Sequence, residues 1–321
     1  MKGVLFLVVK ASGTSHAKII LIGEHSVVYH QPAIALPLPA VRERVVITPT
    51  HDSQQRLMSR YFTGVRQVAP DTLQGINYLI DTLLTRFDLA TQSFELVIES
   101  HLPAERGMGS SAATAVAIIR AVYGFAERSL NHAQLLEDAN ISERMIHGNP
   151  SGLDVATASA DNPVWLVKGE QPAPMPFHLT GYLVIADTGV HGQTGEAVKK
   201  VAALRKSDPQ LANQAIRTLG NLTVAARTAL TTNQLSELGQ IFDQAQANLV
   251  KLGVSHERLD LLIQVAKKNG ALGAKLTGGG MGGCMICLAP TESSAAHIRQ
   301  ALAAAGATQS WVQPFISEEN N

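Results

Sequence analysis

The sequence has few of the features that mark disulfide-rich, nucleic-acid-binding or membrane proteins. It has two cysteines, Cys284 and Cys287, and 5% aromatic residues. Two cysteines are too few for a disulfide framework, so a reducing cytoplasm is the expected compartment. The formal net charge is +0. Because no basic run occurs either, there is no electrostatic basis for binding nucleic acid or an anionic membrane. No stretch approaches the roughly 20 apolar residues that a transmembrane helix needs.

The chain is long enough for two domains. Its 321 residues, 45% of them hydrophobic, can bury a full core, and chains of this length commonly divide in two. The most linker-like segment is the proline-rich stretch 171–176. We therefore expect domains over residues 1–178 and 179–321. The apolar run of residues 4–9 is short and is followed by Lys10, so it indicates a first strand, or a few extra residues before one, and not a signal sequence.

Hydrophobic periodicity predicts a chain of mixed α and β structure. Alternating or continuous apolar runs mark strands, and apolar residues three and four apart mark helices. The predicted strands cover residues 4–9, 18–22, 43–48, 93–100, 164–167, 182–186 and 284–288. The predicted helices cover residues 73–87, 110–127, 132–147, 194–205, 209–231, 233–251, 256–268 and 291–305.

A strand-to-helix turn at residues 103–113 carries the first candidate site. Gly107 and Gly109 let the backbone approach an anion closely. Ser110 and Ser111 fall at the start of the predicted helix, where unpaired N–H groups and the positive end of the helix dipole gather. These features are typical of a phosphate cradle, and an ordinary serine-capped helix entry is the alternative. No G-x-x-x-x-G-K-[ST] sequence occurs, which excludes a P-loop.

Charged residues at both ends of an apolar strand form the second candidate site. Lys18 begins the predicted strand 18–22, and Glu24 and His25 follow it at a glycine turn. A lysine that faces inward beside branched aliphatic residues needs an anionic partner, either a carboxylate or a ligand. A solvated edge lysine followed by a polar turn is the alternative.

Two carboxylates flank a loop over residues 148–152 that is rich in glycine and proline. Glu143 precedes the loop near a helix end, and Asp154 follows it. Magnesium prefers oxygen ligands and takes few of them from the protein, so one glutamate and one serine hydroxyl suit a metal–nucleotide complex. Alternatively, Glu143 is a surface charge and Asp154 is the N-cap of a helix that begins near Val155.

The last candidates follow in the C-terminal half. The loop 278–283 is glycine at five of its six positions. It contains G-x-G-x-x-G, but it leads into a strand instead of opening a helix, which excludes the dinucleotide-binding motif. We therefore expect a loop pressed against a ligand or against the first cradle, and a flexible loop is the alternative. Cys284 and Cys287 fall on opposite faces of that strand, and we expect two buried structural thiols. The polar loop 187–194 is either a substrate contact or a plain turn.

Together these segments resemble the GHMP superfamily of small-molecule kinases and, within it, the family that phosphorylates mevalonate. The three superfamily motifs occur in order, at residues 18–29, 103–113 and 275–284, and they span nearly the whole chain. The residues after the Gly-Glu-His turn and the run 143–154 carry the closer resemblance. The first ten residues lie outside it.

The resemblance implies a fold, a reaction and a set of site residues. The fold is an α+β two-domain GHMP kinase fold, with an N-terminal ribosomal-protein-S5-domain-2-like α/β domain and a C-terminal ferredoxin-like α+β domain. The reaction is phosphorylation of the mevalonate C5 hydroxyl by ATP with Mg²⁺, in a cytoplasmic homodimer that binds neither nucleic acid nor membrane. The catalytic residues are Asp154, as the base, and Lys18, which activates the hydroxyl and balances charge. The metal ligands are Ser111 and Glu143; the ATP-binding residues are Pro103, Arg106, Gly107, Met108, Gly109, Ser110, Ser111 and Ala112; the substrate-binding residues are Lys18, Glu24, His25, Asp154, Thr194 and Gly279.

Three positions depart from the family pattern, and none of them removes a catalytic residue. Met108 replaces a common leucine of similar volume. His30 stands where glycine is frequent, and Met281 interrupts the glycine loop, so these two residues are expected to affect loop geometry or substrate affinity.

Two other functions are compatible with the same motifs. Phosphomevalonate kinase is a sibling activity that needs additional basic residues to hold a second phosphate, and the sequence has no obvious cluster of them. A non-catalytic nucleotide-binding module is the other alternative. The presence of both Lys18 and Asp154 argues against such a module, because a pure binder needs no base.

Overall fold

The computed structural model of the chain describes residues 9–100, 107–147 and 152–315. The described residues form two compact units, each made of several chain segments. Unit 1 contains residues 9–17, 41–100, 109–147 and 152–159, and unit 2 contains residues 18–40, 107–108 and 160–315. This division does not follow a single boundary, and the division at residues 178 and 179 stays a prediction.

Runs of strands and runs of helices follow one another along the chain. The strands are β1 (Ala11–Ile22), β2 (Pro32–Pro49), β3 (Gln55–Met58), β4 (Thr63–Val65), β5 (Phe94–Ser100), β6 (Val164–Val167), β7 (Ala173–Pro174), β8 (Gly181–Asp187), β9 (Ala274–Leu276), β10 (Cys284–Ala289) and β11 (Gln309–Phe315). The helices are α1 (Gln74–Arg86), α2 (Ser110–Phe125), α3 (His132–His147), α4 (Leu153–Ala158), α5 (Thr194–Ser207), α6 (Pro209–Thr231), α7 (Leu235–Lys251), α8 (Glu257–Lys268) and α9 (Glu292–Ala304).

Unit 1 joins a sheet to a cluster of helices. Strand β3 pairs in parallel with β5 and antiparallel with β4, and residues 43–49 of β2 pair antiparallel with β5. Helices α1, α2 and α3 pack on one another. Helix α2 lies very close to β1, because a Cβ added to Gly13 would be 2.1 Å from the carbonyl oxygen of Ala117. Because Gly13 and Ala117 are small, the backbones of β1 and α2 lie very close together. This contact fixes the position of α2 on the strand.

Unit 2 is built on an antiparallel sheet of order β11-β8-β10-β9. Helix α9 packs on β8 and β11, and α8 packs on β9 and β10. Asp208 caps α6, since its Oδ1 accepts a hydrogen bond from the Leu211 amide at 3.0 Å. Cys284 and Cys287 are fully buried in β10, and burial raises the pKa of Cys287 to about 12. The expectation of buried structural thiols is confirmed.

The helices agree with the predictions better than the strands do. All the predicted helices are present, and their bounds lie within two residues of those expected. Strands β1 and β2 extend well beyond the predicted 18–22 and 43–48, and the predicted strand 4–9 lies outside the described residues except for its last position. Strands β3, β4, β9 and β11 were not expected, and the two residues of β7 fall within the segment expected to be a linker.

Across the described residues, none of the helices has both the length and the apolar character needed to cross a bilayer.

Candidate active site

Strand β1 ends in a glycine turn that holds two of the candidate side chains. Gly23 has φ 103°, and a Cβ there would lie 2.5 Å from the Cα of Ala33, so only glycine fits. Glu24 and His25 follow it and are buried at 1% and 5% exposure. Lys18, on the strand itself, is 4% exposed. It therefore faces inward, and the alternative of a solvated edge lysine is excluded.

His25 connects this turn to the glycine loop of unit 2. Its Nε2 lies 2.8 Å from the carbonyl oxygen of Gly279. A carbonyl can only accept a hydrogen bond, so we assign the ring proton to Nε2. Burial lowers the pKa of His25, and the Gly279 carbonyl offsets part of that effect. The imidazole is therefore neutral at neutral pH and acts as a hydrogen-bond donor to the loop.

Glu24 forms a buried ion pair with Lys275 of strand β9. Both side chains are fully buried, and Lys275 Nζ donates a hydrogen bond to Glu24 Oε1. Burial raises the pKa of Glu24, and the neighbouring ammonium groups of Lys275 and Lys18 act in the opposite direction. Burial also lowers the pKa of Lys275, and Glu24 opposes that shift. Each partner therefore favours the charged form of the other.

The loop between β9 and β10 encloses a small cavity with an almost purely backbone wall. Its volume is about 200 Å³. A Cβ on Gly279 would lie 2.5 Å from Thr194 Oγ1, and one on Gly280 would lie 2.2 Å from the Val254 carbonyl oxygen, so these positions have no room for a side chain. The cavity is lined by Gly107, Gly192, Thr194, Thr277, Gly279, Gly280, Gly282 and Gly283.

The two residues that stand at positions where glycine is expected, His30 and Met281, have backbone conformations that favour glycine. His30 has φ 61° and Met281 has φ 55°. The left-handed region costs a non-glycine residue roughly 1–2 kcal/mol. The backbone path that favours glycine in the family is therefore kept here at a conformational cost, and the hydrogen bond from the Met281 amide to the Val254 carbonyl (2.8 Å) helps to fix it.

The entrance of helix α2, in unit 1, is built from side-chain oxygens. Gly109 precedes the helix with φ 69°, and no side chain among the described residues caps it. The serine-cap alternative is therefore not supported by the geometry. Ser111 Oγ instead donates a hydrogen bond of 3.1 Å to Oε1 of Glu143 on α3. Glu143 is 4% exposed, so it is not a surface charge.

A second buried carboxylate, Glu43 of β2, supports the same entrance. Glu43 is 1% exposed, and its two oxygens accept hydrogen bonds from Thr114 of α2 (2.6 Å) and Ser100 of β5 (3.2 Å). Thr114 Oγ1 also lies 2.9 Å from the carbonyl oxygen of Ser110. Burial raises the pKa of Glu43 to about 7, and the two hydroxyl donors only partly oppose that rise. This carboxyl group titrates near neutrality directly beneath the first turn of α2.

Asp154 lies in the first turn of helix α4, which packs on α2 and α3. The helix begins at Leu153 with Gly152 as its N-cap, at φ 75°. Asp154 is therefore not the N-cap that one alternative expected. It is half-buried and follows a glycine turn that places it near the start of the helix.

The predicted residues fall into two groups. Unit 2 holds Lys18, Glu24, His25, Gly107, Met108, Thr194 and Gly279, and unit 1 holds Gly109, Ser110, Ser111, Ala112, Glu143 and Asp154. Pro103 and Arg106 lie outside the described residues. In unit 2 the structure joins His25, Gly279 and Thr194 by direct contact, and in unit 1 it joins Ser111 to Glu143.

Sequence reasoning placed Lys275 and Thr277 in the 275–284 motif but assigned them no role, and it did not single out Glu43. Thr277 Oγ1 donates to the Ile20 carbonyl at 2.7 Å and ties the glycine loop to β1. The available signal was a lysine directly after the apolar pair Gly273-Ala274 and before Leu276, since an ammonium in an apolar strand needs a buried partner. Glu43 gave a similar signal at the start of a predicted strand.

The oxygen donors at α2 suit a hard cation better than a soft one. The described residues contain no group of three or more His, Cys, Asp or Glu side chains that could hold a metal. A single carboxylate beside a hydroxyl, as in Glu143 and Ser111, matches the habit of Mg²⁺, which takes few protein ligands and completes its shell with phosphate and water.

Comparison with protein-family models gives two matches. The model for the GHMP kinases N terminal domain matches residues 74–161. The model for the GHMP kinases C terminal domain matches residues 226–308. The first match contains the α2 entrance, Glu143 and Asp154, and the second contains Lys275 and the glycine loop.

The relatives span nearly the full chain. The mevalonate kinase of Pyrococcus furiosus is 30% identical, with 96% of this chain and 96% of that protein covered. The crystal structure of mevalonate kinase from methicillin-resistant Staphylococcus aureus is 33% identical, with a TM-score of 0.74 and coverage of 95% and 98%. L. major mevalonate kinase in complex with R-mevalonate is 25% identical, with a TM-score of 0.82 and coverage of 95% and 96%. The expected two-domain α+β fold is confirmed by these matches.

Proposed function

This chain belongs to the GHMP kinase family, and we propose that it transfers the terminal phosphoryl group of ATP to the C5 hydroxyl of mevalonate. The relatives at about 30% identity that support this substrate are matched over almost their whole length. The observation that carries the proposal is the hydrogen bond between Ser111 and Glu143 at the entrance of α2. It brings together a hydroxyl and a carboxylate at a helix N-terminus, where a metal–nucleotide complex is favoured.

Ser111 and Glu143 would hold the Mg²⁺ that accompanies ATP. When bound there, magnesium would neutralise part of the charge on the phosphates. The backbone of residues 107–112 would wrap the phosphate groups, because the glycines leave its N–H groups accessible and the dipole of α2 favours negative charge. Pro103 and Arg106 are assigned to the same nucleotide site.

Asp154 would be the catalytic base. As the C5 oxygen bonds to the γ-phosphorus, its proton passes to the Asp154 carboxylate, and the bond from that phosphorus to the bridging oxygen breaks to release ADP. The ammonium of Lys18 would balance the charge on the transferring phosphoryl oxygens. Phosphoryl transfer depends mainly on in-line positioning and charge neutralisation, which is what this pair supplies.

The acceptor would contact residues of unit 2 near the glycine loop. His25, Thr194 and Gly279 adjoin one another at the cavity of the glycine loop, whose backbone groups can bind the polar ends of a small acid. Glu24 was assigned to the same site from the resemblance. Its buried carboxylate would act on the acceptor site indirectly, through the ion pair with Lys275.

We infer a cytoplasmic homodimer from the family resemblance. Light scattering coupled to size-exclusion chromatography would give a mass of twice 34.2 kDa for a dimer. A mass of one chain across the working concentration range would overturn the dimer.

An ADP-release assay with Mg-ATP and a panel of acceptors tests the proposed function. The panel contains mevalonate, 5-phosphomevalonate, homoserine and galactose. We expect turnover with mevalonate alone, and dependence on added Mg²⁺. Turnover with another acceptor would keep the kinase mechanism and change the substrate. ATP binding without turnover on any acceptor would indicate a non-catalytic module.

A further inference from the structure

Lys275 makes a complete set of hydrogen bonds in a fully buried position. Its Nζ donates to the carbonyl oxygens of Leu276 (2.7 Å) and Leu21 (3.2 Å) and to the carboxylate of Glu24. An ammonium has three protons, and each has an acceptor here, whereas a neutral amine would have only two protons for the same three acceptors. Nζ also lies over the ring of Phe242, 5.7 Å from its centroid, where the face of the ring attracts a cation. The geometry therefore favours the charged form.

Glu24 depends on Lys275 for its placement. Its Oε1 accepts the hydrogen bond from Lys275, and its Oε2 has no hydrogen-bond partner among the residues that the structure describes. Neither side chain of the pair is exposed to solvent. Removing Lys275 would leave Glu24 without its hydrogen-bonded counter-ion, with the weaker influence of the Lys18 ammonium remaining, and removing Glu24 would leave Lys275 as a buried charge without its carboxylate; either loss carries a large penalty.

The pair sits where two distant chain segments meet. Four contacts join the β1 end and its turn to the β9 strand and its glycine loop: the ion pair, and the hydrogen bonds from Lys275 to the Leu21 carbonyl, from Thr277 to the Ile20 carbonyl and from His25 to the Gly279 carbonyl. These partners are more than 250 residues apart in sequence. No local turn can fix their relative position, so the contacts themselves must do so.

Gly279 is the point at which this connection reaches the cavity. Its carbonyl accepts from His25, and its Cα packs so closely on Thr194 that a Cβ would lie 2.7 Å from the Thr194 Cα. A shift of β9 relative to the turn would therefore move the wall of the cavity. Misplacement by about 1 Å can cost on the order of 100-fold in rate when reacting groups must be aligned.

We propose that Lys275 and Glu24 are positioning residues, whose buried ion pair holds His25 and the Gly279 wall in register for the acceptor without touching it. The inference rests on the proposed function, because it assigns the cavity to the acceptor side of that reaction. It gives Lys275 a role that the phosphoryl-transfer scheme above does not use, and it makes the role of Glu24 indirect.

The test compares Glu24→Gln, Lys275→Met and the double variant with the wild-type enzyme. In each single variant we expect kcat/KM for mevalonate to fall by about 100-fold, while KM for ATP changes by less than about threefold. The double variant removes both charges, so its Tm should recover toward that of the wild type while kcat/KM stays low. Lys267→Met is the matched control, because it breaks a partly exposed ion pair between Lys267 of α8 and Asp243 of α7, and it should leave all three values unchanged.

Amide hydrogen exchange gives a readout that needs no turnover. Peptides covering residues 277–283 should exchange faster in both single variants and in the double variant, and at the wild-type rate in Lys267→Met. Unchanged exchange, or recovery of kcat/KM together with Tm in the double variant, would overturn the positioning role. If the wild-type enzyme has no activity on mevalonate, the proposed function fails, while the exchange result still decides whether the pair holds the loop.

Discussion

The cavity of the glycine loop and the entrance of helix α2 are made of different chemical groups. In unit 2 the cavity is lined mainly by glycine residues, and the buried Glu24–Lys275 pair lies in the neighbouring turn and strand. In unit 1 the entrance carries Ser111, Glu143 and Glu43, whose oxygens form its hydrogen bonds. The cavity of unit 2 is therefore lined mainly by glycine backbone, whereas the entrance of α2 in unit 1 is formed by side-chain oxygens.

This difference indicates what each region can bind and how each can be damaged. Side-chain oxygens suit a cation and can be removed by substitution. A backbone wall presents N–H and carbonyl groups to a small polar molecule and is damaged when atoms are added. Four substitutions test this contrast, beginning with the one expected to have the largest effect.

Asp154→Asn should damage the side-chain region most. The amide keeps the shape of the carboxylate but cannot take the proton, and general-base catalysis typically contributes about 10²–10⁴-fold. We expect kcat to fall by at least about 100-fold with the ATP dissociation constant unchanged, as measured by ADP release and by calorimetry. Asp161→Asn, at an exposed aspartate, is the control and should have normal kcat. Near-normal turnover by Asp154→Asn would remove this aspartate from the mechanism.

Glu43→Gln should change the pH dependence of stability. The folded pKa of about 7 lies above the ordinary value of 4.5, so the folded state holds a proton that the unfolded state has lost. The stabilisation is complete below about pH 4.5 and is lost as the pH rises through 7. Over that window the wild-type free energy of unfolding should fall by about 3 kcal/mol relative to the variant.

Urea unfolding of both proteins at pH 5, 6, 7 and 8 measures that difference. A constant gap between wild type and Glu43→Gln would show that Glu43 does not titrate in this range. Because Glu43 contacts Thr114 beneath the entrance of α2, ATP affinity recorded at the same pH values would show whether its ionisation also affects the nucleotide site.

Glu143→Gln should weaken the cation site without unfolding the entrance. The amide can still accept the hydrogen bond from Ser111, but it lacks the negative charge that a divalent cation needs. We expect the Mg²⁺ concentration for half-maximal activity to rise at least about tenfold. Glu137→Gln changes an exposed glutamate on the same helix and should leave the Mg²⁺ titration unchanged. An unaltered titration for Glu143→Gln would place the metal elsewhere.

Gly279→Ala tests the backbone region by adding one methyl group. The new Cβ would be 2.5 Å from Thr194 Oγ1, and overpacking of this kind costs about 1–3 kcal/mol. We expect KM for mevalonate to rise about tenfold, in line with 1.4 kcal/mol for each factor of ten. Gly195→Ala is the matched control, because nothing lies within 4 Å of its Cβ position. Equal KM values in the two variants would show that the cavity wall at Gly279 can accommodate a methyl group.

Helices were predicted well because their signal is local and repeated. Helix α6 has the bounds 209–231 that its apolar periodicity and its Asp-Pro start predict. The strands were harder, since β2 contains Pro37 and Pro39 and β11 contains Pro314, and proline argues against a central strand. Strand β11 lies at a sheet edge, where proline is tolerated. Strands β3, β4 and β9 are too short to show a period.

The site was predictable in its residue types and not in its contacts. Glycines, serines and isolated charges mark local turns, so Gly107, Ser111 and Asp154 could be singled out from short segments. The partner of Glu24 is 251 residues away, and nothing in the local sequence of either residue identifies the other. Such long-range pairs are set by tertiary packing. This one is seen only in the folded structure, where the end of β1 and its turn contact β9 and the glycine loop.

The edge position of β11 has a consequence for synthesis of the chain. Strand β11 pairs along its whole length with β8, yet it is made about 120 residues later. At translation rates of about 5–20 residues per second, β8 waits on the order of ten seconds for that partner. During this interval the unpaired N–H and C=O groups along its edge are a template for strands of other nascent chains. The ribosome-bound intermediate, not the finished enzyme, is therefore where we expect chaperones to act on this protein.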